Sequence, residues 1–541
     1  MEKERSLLLS YMISLLDNSL FRKSYYSILI VFSFGIILNL CPFNLTTKDA
    51  GEYLVAARNL TIAHPPGAIL YIILLKLFLV FGIKGAYILN IIFAIIFSIF
   101  SFLIFRTIIS AKEVLKDKYA NLLSATLLFF LVNNTFFQRV FLFIETDAII
   151  CTLLSICIYF FIKRNFLLSL FVFSSSFLVN YQLLFFAPVF VFYPIYKKKI
   201  NIRIFLLIFV LLFSGFIYLY ARTDALYSWD PGIKSIVSLF DYLTLKEYSV
   251  RNVLINKNFA TLDDFIKYYP NSTLFYLFFL FLTPLIAFFR KESRFVFILV
   301  VLYSIFFIYV SRASAMNSIH YAFPLVFFSY LSICFLYIVL DEKWIILAIL
   351  FLIPDISFLN TSIYRYGLPE KYFEISTRNI KNGIYLIARD CHINYFRWLI
   401  DKNSDIIPVN IEDLRRKQNR EELSLRLGIM LPDASIPSQI NYLISTKIYK
   451  VYFENDPLFD FINAPSAIQG IRREAFGEFE NIITKGDIES LPKGHEIEDE
   501  EIRNIIVGIK NGYMDQQHLQ PYTTGLKPAS TIGQKWILPL H

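Results

Sequence analysis

Residues 48–71 read KDAGEYLVAARNLTIAHPPGAILY, a polar stretch that lies between long apolar segments. It contains two carboxylates, an arginine, a histidine and a Pro-Pro-Gly turn, whereas polar residues elsewhere in this half of the chain stand at the edges of apolar runs. Asp49 and Glu52 are three positions apart, so on a helix they share one face. The stretch is therefore predicted to be the active-site loop of a membrane enzyme.

The composition is that of a polytopic membrane protein. Of 541 residues, 56% are hydrophobic and 18% aromatic, and the mean hydropathy is +0.55, far from the balance of a soluble domain. The net charge of +9 comes largely from short Lys and Arg clusters between apolar runs, as the positive-inside rule requires. Nucleic acid is therefore excluded as a partner, and the lipid bilayer is expected as one. The five cysteines show neither a disulfide framework nor zinc spacing.

Apolar segments of roughly 17 to 25 residues can span a bilayer as helices. About eleven are predicted, at 25–42, 86–106, 119–135, 147–162, 166–181, 183–196, 202–221, 272–289, 295–311, 319–340 and 344–360. The run 166–196 is interpreted as a tight pair of helices, because Asn180 and Gln182 place two amides in its middle, where hydrocarbon penalises them.

The segment 68–82 is also apolar, and its placement decides the topology. If it lies along the outer surface, the basic clusters near Arg106, Lys163, Lys197, Arg290 and Lys343 all fall on one side with the N-terminus, as expected of a cytoplasmic face. Residues 52–82 are therefore predicted to form juxtamembrane helices in the first outer loop. Every candidate site residue then lies outside the cytoplasm.

From about residue 365 the sequence becomes mixed polar and apolar. Residues 1–364 are predicted to form an all-α membrane domain and residues 365–541 an extracytoplasmic α/β domain. Expected strands lie at 384–388, 405–409 and 447–453, and expected helices at 394–402 and 411–427. Strands that alternate with helices favour a small α/β unit.

The candidate residues have structural as well as chemical interpretations. Asp49 and Glu52 fit a capping box at a helix start, and they also fit a general base with a second carboxylate that tunes it. The pair permits a divalent cation but does not require one. His64 ends one helix before Pro65, and its imidazole could bind phosphate or orient a substrate.

The second outer loop and the long outer loop after residue 221 add further candidates. Arg139, Glu145 and Asp147 fit either an ion pair with a helix N-cap or a second acidic wall facing the cavity of Asp49. Arg222 carries a planar guanidinium that suits phosphate oxygens, although an arginine at a helix end can also simply snorkel to the interface. Together, the candidates for binding the carrier phosphate or the substrate are His64, Arg222, Arg139, Glu145, Asp147, Asn180, Gln182, Trp229 and Asp230.

Several short motifs follow one another in order. They are Asp49-Ala50-Gly51-Glu52-Tyr53, Ile62-Ala63-His64-Pro65-Pro66-Gly67, Asn180-Tyr181-Gln182, Tyr218-Leu219-Tyr220-Ala221-Arg222, Trp229-Asp230-Pro231 and Leu243-Thr244-Leu245-Lys246-Glu247-Tyr248. This series resembles the protein O-mannosyltransferase-like membrane proteins of the GT-C glycosyltransferase superfamily, mainly over residues 25–255. Departures occur at Glu145-Thr146-Asp147, where Glu-Val-Tyr is usual, and at Ala68-Ile69-Leu70, where Tyr-Pro-Leu is usual.

The resemblance implies a GT-C-like fold and a glycosyltransferase, with mannose as one candidate sugar. It further implies a polyprenyl-phosphate-linked sugar donor, an acceptor hydroxyl on a protein, lipid or glycan, and transfer at the extracytoplasmic surface. The acidic residue of the first outer loop carries over to Asp49, the expected base or acceptor-binding group, with Glu52 beside it. A transporter or flippase of lipid-linked glycans is the alternative, although the sequence shows no internal symmetry of the kind transporters often have.

Overall fold

A computed structural model describes residues 19–39, 41–44, 48–63, 68–111, 117–179, 186–197, 217–218, 220–221, 283–284, 293–313, 323–339, 382–387, 396–400, 405–410, 414 and 417–453. The chain divides into two compact units. One comprises Met1–Phe43 with Ala56–Ser362, and the other comprises Asn44–Val55 with Ile363–His541. The predicted division into domains 1–364 and 365–541 stays a prediction.

Helices make up nearly all of the described chain before residue 340. In order they are α1 Ser19–Asn39, α2 Lys48–Asn59, α3 Ile69–Phe78, α4 Ile83–Ile109, α5 Asp117–Val132, α6 Thr135–Leu142, α7 Asp147–Ile162, α8 Phe166–Ser176, α9 Tyr193–Tyr196, α10 Arg294–Ala313 and α11 Phe323–Val339. A short 3-10 helix, Leu79–Phe81, continues α3, and a π-helix, Pro188–Phe192, leads into α9. In the run 166–196, one helix ends at Ser176 and helical structure resumes at Pro188, whereas residues 180–185, where the break of the predicted tight pair falls, lie outside the described residues.

Within the described residues, α4 alone is long and apolar enough to cross a membrane unaided. Its 27 residues extend about 40 Å at 1.5 Å per residue, more than the roughly 30 Å of a hydrocarbon core. The pair 120–132 and 136–142, bent by 66° at its break, also qualifies if it is counted as one span. The predicted total of eleven spans stays a prediction, because segments 202–221, 272–289 and 344–360 lie mostly or wholly outside the described residues.

An aromatic cluster around Phe97 forms the centre of the helical core. Ring centroids of Phe137, Phe141, Phe323 and Phe327 lie 5.1–5.9 Å from that of Phe97, in tilted arrangements. Such geometry suits the quadrupoles of aromatic rings. The cluster joins α4, α6 and α11, so it fixes the position of the short helix α6 against the long helix α4.

Other apolar side chains point outward. On α1, the exposed side chains include Ile28, Val31 and Phe32, and after α3 the side chains of Val80 and Phe81 are 77% and 63% exposed. Exposed apolar side chains grouped on one helix are typical of surfaces that contact lipid or another protein. They agree with the membrane association predicted from composition.

The turn between α3 and α4 depends on two glycines. Gly82 adopts φ +63°, a left-handed conformation that glycine reaches at no steric cost. Gly85 sits so close to the end of α3 that a Cβ there would lie 1.8 Å from the carbonyl oxygen of Phe78. The chain can therefore fold α4 back against α3 only with glycine at position 85.

Helices α7 and α8 form an antiparallel hairpin. The turn consists of Lys163, Arg164 and Asn165, and Arg164 has φ 58°. Across the hairpin, the Ser169 hydroxyl donates to the Cys157 carbonyl at 3.0 Å, and the Cys157 thiol donates to the Ser169 carbonyl at 3.6 Å. This reciprocal pair sets the register of the two helices.

The described part of the second unit after residue 381 contains a parallel sheet. Strands β1 Asn382–Ile387, β2 Asp405–Asn410 and β3 Val451–Phe453 pair in the order β2-β1-β3. Helices α12 Lys417–Leu427 and α13 Ile436–Thr446 lie between β2 and β3 in the chain. Ile384 and Leu386 pack in the cluster that includes residues of both helices, whereas Tyr385 and Ile387 pack with Phe396 on the other face. The strands match the predicted positions within a few residues, and α13 is an addition that the sequence analysis missed.

Candidate active site

Helix α2 carries the two carboxylates that the sequence analysis ranked first. Asp49 and Glu52 are three positions apart in Lys48–Asn59, as predicted, and Glu52 is half-buried. The helix begins one residue before Asp49, whereas the capping-box interpretation requires Asp49 to precede the helix. Asp49 instead is the second residue of the helix.

The end of α2 is a closed turn with an unusual residue. The Thr61 N–H donates to the Ala56 carbonyl at 3.0 Å, and Leu60 between them has φ 54°. This bond spans five residues, as in a Schellman motif, whose left-handed position is usually glycine. The Lys76 ammonium on α3 donates to the Arg58 carbonyl at 2.9 Å. The turn that precedes His64 is therefore tied to α3.

A long-range hydrogen bond brings two of the recognised motifs together. The Tyr218 hydroxyl donates to the Leu60 carbonyl at 2.9 Å, across 158 residues of sequence. Tyr218 opens the motif that ends in Arg222, and Leu60 lies four residues before His64. The start of the Arg222 motif therefore contacts the turn that leads to His64, although both of those side chains lie outside the described residues.

The segment Phe143–Asp147, here named the acidic loop, joins α6 to α7 and carries Glu145 and Asp147. Asp147 is the first residue of α7, and Thr146 is the cap residue, with no side-chain cap hydrogen bond. A carboxylate at this position is stabilised by the helix dipole. Both carboxylate side chains are half-buried.

Arg139 lies in the last turn of α6 and is 8% exposed. Its guanidinium carbon lies 5.6 Å from the centroid of the Phe143 ring, within the range of a cation–π interaction. Helix α6 is set at its other end by Asn134, whose side chain accepts from the Phe136 N–H at 2.8 Å. A buried cation thus lies at the start of the acidic loop, and the predicted ion pair between Arg139 and Glu145 stays a prediction.

Tyr71 belongs to this site, although the sequence analysis did not select it. Its side chain is fully buried on α3. Burial raises the pKa of the Tyr71 phenol well above its ordinary value, and the nearby charges of Glu145, Tyr87 and Asp147 raise it further. The phenol therefore stays protonated and keeps an O–H to donate beside two carboxylates. The sequence did contain one indication of Tyr71, because Tyr71 and Lys76 are the only polar residues of α3.

The remaining candidates do not all have described positions. Those outside the described residues are His64, Arg222, Asn180, Gln182, Trp229 and Asp230. Asp49 and Glu52 belong to one compact unit and the acidic loop to the other, so a cavity shared by Asp49 and Glu145 stays a prediction. Within the described part of the chain, His, Cys, Asp and Glu do not gather in groups of three that could hold a metal ion.

Comparison with known proteins gives one family match. No curated protein matches the chain. Residues 49–198 match the family described as the N-terminal domain of the protein O-mannosyl-transferase TMEM260. The matched region is less than a third of the chain. It begins at Asp49 and includes Glu52, Tyr71, Arg139 and the acidic loop, and it supports an O-mannosyltransferase-like family for this protein.

Proposed function

We propose that this protein is an integral membrane glycosyltransferase. It moves a sugar, with mannose as the first candidate, from a polyprenyl-phosphate carrier to an acceptor hydroxyl at the extracytoplasmic surface. The observation that carries the proposal is the family match over residues 49–198, which starts at the candidate base and extends over the acidic loop. The exposed apolar faces and the long helix α4 are in keeping with an enzyme whose donor is a lipid.

The reaction is a displacement at the anomeric carbon. The acceptor oxygen attacks this carbon while its proton passes to the Asp49 carboxylate, and the bond between the carbon and the phosphate oxygen breaks. Polyprenyl phosphate leaves with the electron pair, and Arg222 and His64 stabilise its negative charge. Glu52, one helical turn from Asp49, tunes the basicity of Asp49 or holds the acceptor.

The acidic loop supplies a second set of polar contacts. Glu145 and Asp147 accept hydrogen bonds from hydroxyl groups. Their negative charges also act on the nearby phenol of Tyr71 and help to keep it protonated. Sugar hydroxyls need such acceptors when they leave water, because an unpaired buried polar group is costly. The remaining candidates Asn180, Gln182, Trp229 and Asp230 are assigned to the same task of holding donor or acceptor.

The test uses the full-length protein in nanodiscs with polyprenyl-phosphate mannose that carries a labelled sugar. Wild-type protein should release polyprenyl phosphate and pass the label to an added extract of the cell envelope. Asp49→Asn should lower this turnover by about 10²- to 10⁴-fold, the usual contribution of a general base. Asp405→Asn, at an exposed carboxylate outside the matched region, is the control and should keep full turnover.

Three outcomes would contradict the proposal. Full turnover by Asp49→Asn removes Asp49 as the base. Absence of turnover with several lipid-linked sugars, in protein shown to be folded, removes the transferase assignment. Movement of intact donor across proteoliposomes without cleavage would establish the alternative, a flippase.

A further inference from the structure

Asn90 is a buried amide in the N-terminal third of an apolar helix. It lies on α4, one turn after Tyr87, and is 1% exposed. Its Nδ2 donates to the Phe143 carbonyl at 2.6 Å and to the Phe141 carbonyl at 3.3 Å. Carbonyl oxygens only accept, so the nitrogen side of the amide must face them.

These two carbonyls lie at a point where the backbone needs partners. Helix α6 ends at Leu142, and the last carbonyls of a helix have no partner within it. Phe143 follows in an extended conformation, with φ −83° and ψ 143°. The amide of Asn90 therefore caps α6 from another helix at the residue where the acidic loop begins.

Helix α7, which follows the acidic loop, also contacts α4. The Thr152 hydroxyl on α7 lies 3.1 Å from the Phe93 carbonyl of α4 and 2.7 Å from the Ala148 carbonyl of its own helix. Asn90 and Phe93 are three positions apart and so share a face of α4. The end of α6, before the acidic loop, and helix α7, after it, thus both contact one turn of α4.

The other polar atom of this amide does not explain why a polar side chain is buried here. Among the residues that the structure describes, the Oδ1 atom of Asn90 has no hydrogen-bond donor. A leucine has the same branched heavy-atom skeleton and would avoid burying a polar group in this apolar surrounding. The contact that distinguishes asparagine from leucine here is the one to the acidic loop.

We propose that Asn90 is a positioning residue that holds the acidic loop, and with it Glu145, in place for the transfer reaction. The proposal rests on the proposed function for its kinetic consequence, but the anchoring itself can be measured without turnover. Asn90 does not touch the reacting atoms. It acts through the backbone of Phe141 and Phe143.

The first measurement is amide hydrogen exchange of the full-length protein in nanodiscs. Asn90→Leu should raise deuterium uptake in peptides covering the acidic loop. Asn133→Leu is the matched control, because Asn133 is also 1% exposed and donates its amide at 2.7 Å to a backbone carbonyl, that of Phe129 in the preceding helix α5. The anchoring would be overturned if Asn90→Leu raised deuterium uptake in the acidic loop no more than the control does.

The second measurement is a double-mutant cycle with donor turnover. Asn90→Leu should lower kcat about tenfold to a hundredfold with little change in KM, since misplacing a group by about 1 Å can cost this much. Combined with Glu145→Gln, it should cause little further loss, because residues that act through one another are non-additive. Fully additive losses would mean that Asn90 does not act through Glu145.

A second variant covers the case in which Asn90→Leu fails to fold. Asn90→Ser is small, and its hydroxyl can bond to its own helix, as that of Ser124 does to the Ala120 carbonyl at 2.6 Å. It should show the same increase in exchange and the same non-additivity. If the wild type does not turn over any donor but the exchange pattern holds, the transferase assignment fails and the anchoring stands.

Discussion

Tyr71 shows how one residue can give the site a lasting hydrogen-bond donor. Its phenol is fully buried near Glu145 and Asp147. Desolvation disfavours the charged phenolate, and neighbouring negative charges disfavour it further. The same two effects leave the hydroxyl ready to donate to a carboxylate or to a bound sugar.

The raised pKa of Tyr71 predicts a loss of stability in alkali. Above about pH 10 the unfolded chain loses this proton and the folded chain keeps it, so the free energy of unfolding falls as the pH rises. Tyr71→Phe should therefore make the apparent Tm less sensitive to pH between about pH 9 and 11. Tyr196→Phe is the control, because Tyr196 is 78% exposed. Equal slopes for wild type and Tyr71→Phe would contradict the assignment.

Leu60 is held in a conformation that leucine rarely adopts. Its φ of 54° costs an L-residue roughly 1–2 kcal/mol relative to the right-handed region. The hydrogen bonds of Tyr218 and Lys76 to this turn offset part of that cost. The turn before His64 is therefore held by tertiary contacts rather than by its own residue preference.

The preference of glycine for this backbone region can be measured. Leu60→Gly and Leu60→Ala both remove the side chain, so their comparison isolates the backbone. We expect Leu60→Gly to be more stable than Leu60→Ala by about 1 kcal/mol in thermal or denaturant unfolding. The same pair of substitutions at Arg58, inside α2, should show the opposite order. A more stable Leu60→Ala would mean that the left-handed turn is wrong.

At the level of elements, the α3–α4 turn depends on the absence of a side chain at Gly85. Gly85→Ala places a Cβ 1.8 Å from the Phe78 carbonyl oxygen, and the obstructing atom is backbone. We expect a loss of about 1–3 kcal/mol, as for other overpacked sites, seen as a lower apparent Tm. Gly35→Ala is the control. A Cβ there meets nothing within 4 Å, so alanine should be neutral or slightly stabilising on α1.

Helix positions were predictable from sequence, but the contacts between them were not. Apolar runs identified α4, α7 and α11 within a few residues, because burial and lipid contact both demand such runs. Helix α13 was missed because Pro437 and several polar residues interrupt its apolar pattern. The bonds from Asn90 cross 51 and 53 residues, and no local periodicity marks such a pair. The candidate site was likewise predicted from its motifs, whereas Tyr71 and Asn90 were identified from their packing.

For the whole molecule, the positive-inside count makes a prediction about orientation. In a background without native cysteines, Asn59→Cys at the exposed end of α2 should react with a membrane-impermeant maleimide in intact cells or spheroplasts. Asn165→Cys, exposed in the turn beside Lys163 and Arg164, should react only after permeabilisation. The reverse pattern would place the predicted active site on the cytoplasmic side. Labelling of both without permeabilisation would contradict the predicted topology.

The α7–α8 hairpin bears on the order in which the protein is assembled. Its reciprocal hydrogen bonds join residues only 12 positions apart, so the loop that must close is short and its entropy cost is small. Local pairings of this kind form fast, and domains are built from the N-terminal end during synthesis. We expect the ribosome still to be making α10 and α11 when α7 and α8 have already docked. Helix α7, which follows the acidic loop, would then be folded and packed on α8 before α10 and α11 complete the core.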